Sequence, residues 1–127
     1  ELESELMFVK DYFYLQQIRD ENKIHLELEN FPAVGLRILP ISLQILVENA
    51  LKHNSATREN PLLIKINLEN DNFIVVTNNL QRKTVMEKSS GIGLKNLGER
   101  LKLATGNEMG ISQIRDQYIA KIPLIRK

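Results

Sequence analysis

Two polar residues, Glu48 and Asn49, interrupt the otherwise strongly apolar sequence LPISLQILVENALKHN. On a helix, Lys52 and His53 follow Asn49 by three and four residues, so these polar groups project on one side near its C-terminal half. The side-chain oxygen of Asn49 is a hard neutral ligand of the kind that Mg²⁺ takes together with waters and phosphate oxygens. Lys52 is suited to pair with a phosphate. The segment therefore predicts a site for a cation and a phosphate.

The same residues also admit a purely structural explanation. Glu48 and Lys52 have the spacing and orientation of a favourable helical ion pair, and His53 lies near the negative end of the helix. Asn49 would then only mark a boundary. From this helix alone, neither explanation is favoured.

A second motif, Gly91-Ile92-Gly93, stands directly before the helical pattern that begins at Leu94. Glycines let backbone N–H groups approach an anion closely, and a helix N-terminus adds partial positive charge. A single Gly-x-Gly is more often an ordinary loop. It therefore supports a phosphate site only in combination with the first motif.

The composition excludes several other classes of protein. The 127 residues, 43% hydrophobic and 26% charged, are typical of one globular domain. The net charge of +1 gives no long-range field, so we expect neither nucleic acid nor an anionic membrane as the main partner. The absence of cysteine excludes a disulfide framework and makes the cytoplasm the default location. Apolar runs are far shorter than the roughly 20 residues of a membrane-spanning helix, so we expect a soluble piece.

The elements that position the two motifs can be read from hydrophobic periodicity. Spacings of three to four over the first twenty residues predict an amphipathic helix, and alternation over residues 23–29 predicts a half-buried strand. A turn is expected over residues 30–35. The motif-bearing helix is expected to open at Pro40 and to run to about Asn54.

Two pairs of strand-like runs, each divided by a short polar turn, predict two β-hairpins. The first turn contains Asn70 and Asp71, which suit a tight hairpin. The second is expected at Asp116 and Gln117. The predicted strands cover residues 62–69, 72–78, 110–116 and 118–125.

The stretch between the hairpins, residues 78–90, is polar and aperiodic, and it predicts a lid over the start of a third helix marked by Leu94, Leu97 and Leu101. The predicted order is α-β-α-β-β-α-β-β. This order favours an α+β fold, a two-layer α/β sandwich in which one mixed sheet is covered on one face by helices.

Together the two motifs resemble a known family. LVENALKH (residues 46–53), followed by GIGLKNLGERL (residues 91–101), resembles the N box and the second glycine box of histidine kinase ATPase domains in the GHKL superfamily. The helix ending in YLQQIR (residues 14–19), with LQILVENALKH (residues 43–53) after it, is similar to the LytS/YehU-type branch of sensor kinases. The similarity spans essentially the whole chain.

The resemblance implies a Bergerat fold that holds ATP between the N-box helix and the lid. Asn49 would bind Mg²⁺, Lys52 a phosphate, and Gly91 and Gly93 would shape the phosphate end of the lid. Glu48 would help to order the ion. The expected cofactor-binding set is Asn49, Lys52, His53, Asn78, Gly91, Gly93 and Leu94, with Asn49 as metal ligand and Glu48 as catalytic residue.

The chain also departs from the family pattern. The wider superfamily has a water-activating carboxylate where this chain has Ile45, so hydrolysis should be poor, whereas transfer to a histidine does not need that base. An Asp of the first glycine box usually accepts a hydrogen bond from adenine. Here VTNNLQRK (residues 76–83) takes its place, with Asn78 as the candidate and a weaker, neutral acceptor. Asp116 and Gln117 replace a late Gly-Thr pair.

By this resemblance, residues 1–20 would end a helix that links to a phosphoacceptor region outside the fragment, and residues 21–127 would form the ATPase domain. The γ-phosphoryl of ATP would pass to a histidine upstream, because neither His25 nor His53 fits the acceptor motif. Such a fragment would not autophosphorylate alone. The implied partners are that upstream domain, a cognate response regulator and a second copy, on the cytoplasmic side of a membrane-anchored bacterial sensor.

Two alternatives stay open. The altered first glycine box is compatible with a non-catalytic descendant, a docking or dimerisation module that binds nucleotide weakly or not at all. Another ATPase of the superfamily, such as an anti-sigma serine kinase, is disfavoured by the form of the LVENALKH motif and by the opening helix.

Overall fold

A computed structural model of the chain describes residues 2–19, 23–29, 36–70, 72–81 and 92–125. Their elements follow the predicted order α-β-α-β-β-α-β-β. The predicted turn at residues 30–35 lies outside the described residues. In the part of the chain that is described, no helix is long and apolar enough to cross a membrane.

The described residues form three helices and five strands. The helices are α1 (Leu2–Arg19), α2 (Ser42–His53) and α3 (Ile92–Thr105). The strands are β1 (Ile24–Glu29), β2 (Leu62–Glu69), β3 (Phe73–Asn79), β4 (Gly110–Ile114) and β5 (Gln117–Pro123).

The strands form one sheet in the order β1-β2-β3-β5-β4. Strand β1 runs parallel to β2, and the other neighbours are antiparallel, so the sheet is mixed as predicted. The crossover between β1 and β2 contains α2. The hairpin between β2 and β3 turns at Asn70, whose φ of 52° lies in the left-handed region that Asn tolerates well.

The second hairpin turns one residue earlier than predicted. Gln117 pairs with Ile114 and so belongs to β5, which leaves Arg115 and Asp116 as the turn. Arg115 carries the positive φ, 55°. The two-residue turn fixes which residues of β4 and β5 pair. Gln117 is therefore part of the strand although its side chain is polar.

Alternation along the strands separates the two faces of the sheet. In β2 every second residue is buried, while the residues between them are partly exposed. Two of these intervening residues of β2 form ion pairs with residues of other strands: Lys65 with Glu27 of β1, and Glu69 with Lys121 of β5. The helices cover the opposite face, which confirms the two-layer sandwich. The buried core includes Leu6, Val9 and Phe13 of α1, Leu43, Leu46 and Val47 of α2, Leu97 and Leu101 of α3, and Ile64, Ile66, Ile74 and Ile122 of the sheet.

Helix α2 begins at Ser42, two residues after the predicted start at Pro40. The N-cap residue is Ile41, which has a left-handed backbone (φ 72°) and makes no side-chain capping hydrogen bond. The Ser42 hydroxyl donates to the Leu39 carbonyl, at 2.6 Å, and so does not cap the helix either. The first turn of α2 therefore needs an acceptor from elsewhere.

Glu5 of α1 supplies that acceptor. Its Oε1 accepts from the backbone N–H of Leu43 at 2.7 Å, and its Oε2 accepts from Ile41 at 3.1 Å. Burial raises the pKa of the Glu5 carboxyl, and the backbone N–H groups of Leu43, Ile41 and Gln44 lower it by less. A negative charge at a helix N-terminus is also favoured by the helix dipole.

This raised pKa predicts a pH dependence of stability. A carboxyl whose pKa is higher in the folded state stabilises the fold most when it is protonated, and this contribution is lost as the pH rises through the folded-state pKa. We therefore expect the free energy of unfolding of the wild type, relative to Glu5→Gln, to increase on acidification. Urea unfolding of both proteins between about pH 4 and pH 8 measures this difference in the free energy of unfolding. If the wild type instead loses stability relative to Glu5→Gln on acidification, the backbone donors lower the pKa of Glu5 by more than burial raises it.

Candidate functional site

A cavity of about 150 Å³ lies between α2, the inner face of β3 and β5, and the start of α3. Most of its wall is apolar, and three Asn residues, one His and one Tyr contribute the polar groups. The lining residues are Leu46, Asn49, Ala50, His53, Asn54, Val76, Asn78, Leu80, Leu94, Tyr118 and Ala120.

Helix α2 brings Asn49 and His53 to this cavity together. They lie one turn apart, and both are partly buried. Lys52 is exposed and is not among the lining residues. At about 100° per residue, Lys52 points roughly 60° to one side of Asn49 and His53 roughly 40° to the other, so only His53 turns toward the sheet. Lys52 therefore lies beside the cavity and not in its wall, and its role toward a phosphate stays a prediction.

Glu48 points toward α1 and not into the cavity. Its Oε1 accepts from Gln44 Nε2 at 3.0 Å, one turn earlier on α2. The pKa of Tyr12 on α1 is raised, first by burial and then by the negative charge of Glu48. Among the described residues the ion pairs do not include Glu48 with Lys52, so the structural explanation of this pair is not observed.

Asn78 belongs to β3, as the predicted strand 72–78 indicated, and the strand continues one residue further to Asn79. The side chain of Asn78 is almost fully buried (3% exposed) and lines the cavity, with Tyr118 of β5 directly opposite. Its Nδ2 donates to the carbonyl of Asn79 at 2.9 Å. This bond fixes the amide, so that Oδ1 is the acceptor left on this wall of the cavity.

Asn54, which the sequence did not single out, closes the end of the cavity. Its Nδ2 donates to the Ala50 carbonyl and its Oδ1 accepts from the backbone N–H of Gln81, both at 2.9 Å. Ser55 N–H also donates to the Gln81 carbonyl, at 2.6 Å. The chain leaving β3 is thus attached to the C-terminal end of α2. The rest of the predicted lid, residues 82–90, lies outside the described residues.

The second glycine motif reaches the cavity through the first turns of α3. Gly91 lies outside the described residues. The helix begins at Ile92, so Gly93 belongs to its first turn and not to a preceding loop as the motif had indicated. Leu94 lines the cavity, which places the N-terminal end of α3 at the same site as Asn49.

Several lining residues were missed from the sequence because they come from the sheet. Alternation in the last strand does put Tyr118 and Ala120 on the core face, so this signal was available. What alternation cannot show is that β5 lies next to β3, which places Ala120 opposite Val76. Within the described ranges, no group of three or more His, Asp or Glu side chains could hold a metal ion.

Comparison with known proteins gives relatives of one kind. No family model matches the chain. The sensor protein LytS of Streptococcus agalactiae is 29% identical over 121 aligned positions, and that of Streptococcus mutans 30%; both alignments cover 84% of this chain and 21% of the relative. LytS of Staphylococcus saprophyticus is 30% identical over 126 positions, and this alignment covers 87% of this chain and 21% of the relative. The chain thus spans about a fifth of the length of these relatives.

Among solved structures, two nucleotide-free forms of the catalytic domain of the histidine kinase ThkA resemble the chain. One has a TM-score of 0.56 at 18% identity and covers 98% of this chain and 94% of ThkA's. The other has a TM-score of 0.57 at 20% identity and covers 94% of this chain and 92% of ThkA's. The chain therefore has the fold of a histidine kinase catalytic domain. Its homologues are LytS sensor proteins, each of which the chain matches over about a fifth of the relative's length.

A larger side chain at Ala50 tests whether the cavity is open space. The three added carbons of Ala50→Leu would enter it and bury further apolar surface. We expect the free energy of unfolding to stay within about 1 kcal/mol of the wild type or to rise, whereas overpacking a filled core typically costs about 1–3 kcal/mol. Ala104→Leu, on the exposed side of α3, is the matched control. A loss of about 3 kcal/mol specific to Ala50→Leu would mean that the space is closed.

Proposed function

We propose that this chain is the ATP-binding catalytic domain of a two-component sensor histidine kinase. It donates the γ-phosphoryl group of ATP to a histidine carried elsewhere in the full protein. The observation that supports this most is the cavity, which gathers Asn49 of the first motif, Leu94 of the second and the acceptor Asn78 in one place. The LytS relatives and the histidine kinase fold agree with it.

The residues at the cavity fit the base of ATP. Apolar walls from Leu46, Val76 and Ala120 suit the faces of a purine ring. Asn78 Oδ1, oriented by the bond from its own Nδ2 to Asn79, accepts a hydrogen bond from the exocyclic amino group of adenine. An amide replaces the carboxylate usual in this family, so the bond is weaker and the affinity for ATP is modest.

The residues toward the ends of α2 and α3 fit Mg²⁺ and phosphates. When bound, Mg²⁺ neutralises charge on the phosphate oxygens and holds them in place for transfer. Asn49 would provide a protein ligand, and phosphate oxygens and waters would be the other ligands. His53 would contact the nucleotide one turn later, and the first turn of α3, which includes Gly93, would receive the phosphates, as the motif also predicts for Gly91. Lys52 reaches phosphates that extend beyond the cavity.

The site favours transfer over hydrolysis. Ile45, packed against the core, stands where a water-activating carboxylate would be needed. An acceptor imidazole attacks with its own nitrogen and needs no such base. Glu48 accepts a hydrogen bond from Gln44, acts on Tyr12 of α1 and does not line the cavity, so we assign it no direct contact with the nucleotide.

The remaining parts of the proposal concern the whole protein. Residues 1–20 form the end of a helix that leads from a phosphoacceptor domain, and residues 21–127 are the ATPase domain. The upstream histidine domain, a response regulator and a second copy of the protein are the partners. The full protein is anchored in a membrane with this domain on the cytoplasmic side.

Calorimetric titration with Mg·ATP tests the function. We expect binding that depends on Mg²⁺ and that Asn49→Ala weakens by at least about tenfold, because the metal loses its protein ligand. Asn67→Ala, on the opposite face of the sheet, should leave the affinity unchanged. If the folded wild type gives no binding heat and no shift in melting temperature, the chain is a non-catalytic docking module instead.

A second titration tests the position of adenine. Asn78→Asp places a charged acceptor at the same point, so we expect ATP to bind several-fold more tightly near neutral pH. Purine riboside triphosphate, which lacks the amino group, should gain nothing from the substitution. Equal gains for both nucleotides, or none for ATP, would mean that adenine does not meet Asn78.

A further inference from the structure

Helix α2 is held by directional bonds at both ends, and the two ends are held by different parts of the chain. At its C-terminal end, Asn54 bonds to Ala50 and to Gln81. At its N-terminal end, Ile41 offers no side-chain cap, and the carboxylate of Glu5 takes its place. The apolar contacts between these ends are non-directional and do not by themselves fix how the helix is placed along or across the sheet.

Glu5 is well placed to hold the helix rigidly. Its neighbours on α1, Leu2 and Leu6, are buried in the core, and Leu2 N–H donates to the Leu36 carbonyl at 3.1 Å. Each carboxylate oxygen accepts from a different backbone N–H group, one from Ile41 and the other from Leu43, two residues further along the chain. A carboxylate that engages two donors fixes both the position and the direction of the helix end.

We propose that Glu5 is a positioning residue of the nucleotide site, which sets where Asn49 stands at the cavity by holding the N-terminus of α2. Asn49 is six residues after Leu43, or about 9 Å along the helix. When the Glu5 cap is removed, the C-terminal end of the helix is still bonded to Gln81 through Asn54 and Ser55, whereas the N-terminal end has lost its bonds to α1, so the helix can pivot about its C-terminal end. Asn49 then moves further than His53, which lies closer to the pivot.

This placement gives an effect that general loosening of the fold does not. The inference rests on the proposed function, in which Asn49 is the Mg²⁺ ligand. Loss of the cap should weaken the gain in ATP affinity that Mg²⁺ provides, while Mg²⁺-free binding, which depends on the sheet wall around Asn78, changes little. The ratio of the dissociation constants for ATP without and with Mg²⁺ therefore reports on the position of Asn49.

The test compares this ratio in the wild type, Glu5→Ala and Glu5→Gln. We expect Glu5→Ala to lower the ratio on the order of tenfold, which corresponds to about 1.4 kcal/mol. Glu5→Gln, whose single amide oxygen can accept from only one of the two N–H groups, should recover only part of it. Glu3→Ala, an exposed carboxylate of the same helix, should not change it.

A further control separates positioning from stability. Ile24→Val removes a buried methylene from β1, away from the cavity, and costs about 0.5–1.5 kcal/mol, similar to a lost helix cap. It should leave the ratio unchanged. If Glu5→Ala does not fold, Glu5→Asp, whose shorter side chain withdraws the carboxylate from the N–H groups, takes its place in the comparison.

The outcomes distinguish the two levels of the proposal. A wild type that does not bind Mg·ATP overturns the proposed function and this inference with it. A wild type that binds, with an unchanged ratio in the Glu5 variant, overturns only the positioning role. A ratio that falls equally in Ile24→Val also overturns it, because the effect would then follow stability alone.

Discussion

One helix has to satisfy two demands at once. Helix α2 buries a stripe of apolar side chains against the sheet, and it also presents Asn49 and His53 to a cavity beside that stripe. Buried polar groups are costly unless they form hydrogen bonds, so the helix can carry them only near open space or beside a partner. Among the described residues, no buried side-chain nitrogen or oxygen is left without a partner. Asn49 and His53 meet this constraint by lying beside the cavity.

The cavity exists because small side chains meet where large ones would close it. Ala50 of α2 and Ala120 of β5 both line it, and the core elsewhere is filled by Leu, Ile, Val and Phe13. Protein interiors otherwise pack densely, so an apolar space next to polar groups is suited to a ligand with an apolar body and a polar end. The base and phosphates of ATP have this character. The bond of Asn54 to Gln81 then keeps the chain after β3 at the mouth of this space.

Local patterns predicted most of the fold, and long-range contacts explain what they did not. Alternation and helical spacing predicted the order of the elements and the mixed sheet. The start of α2 was misplaced because its cap comes from Glu5, 36 residues before Ile41, and no local signal reveals such a partner. Lys52 was grouped with Asn49 by spacing alone, which does not show which side of a helix faces the sheet. The lining residue Ala120 depends on the pairing of β3 with β5, which alternation does not determine.

The most direct measurement is an NMR titration of the isotopically labelled wild type with Mg²⁺ and a non-hydrolysable ATP analogue. If the nucleotide binds in the cavity, the side-chain amides of Asn49 and Asn78 and the backbone amide of Leu94 should shift most. The signals of Lys65 and Lys121, on the opposite face of the sheet, should not shift. Shifts confined to that opposite face, or an unchanged spectrum at saturating nucleotide, would contradict the assignment of this cavity to ATP.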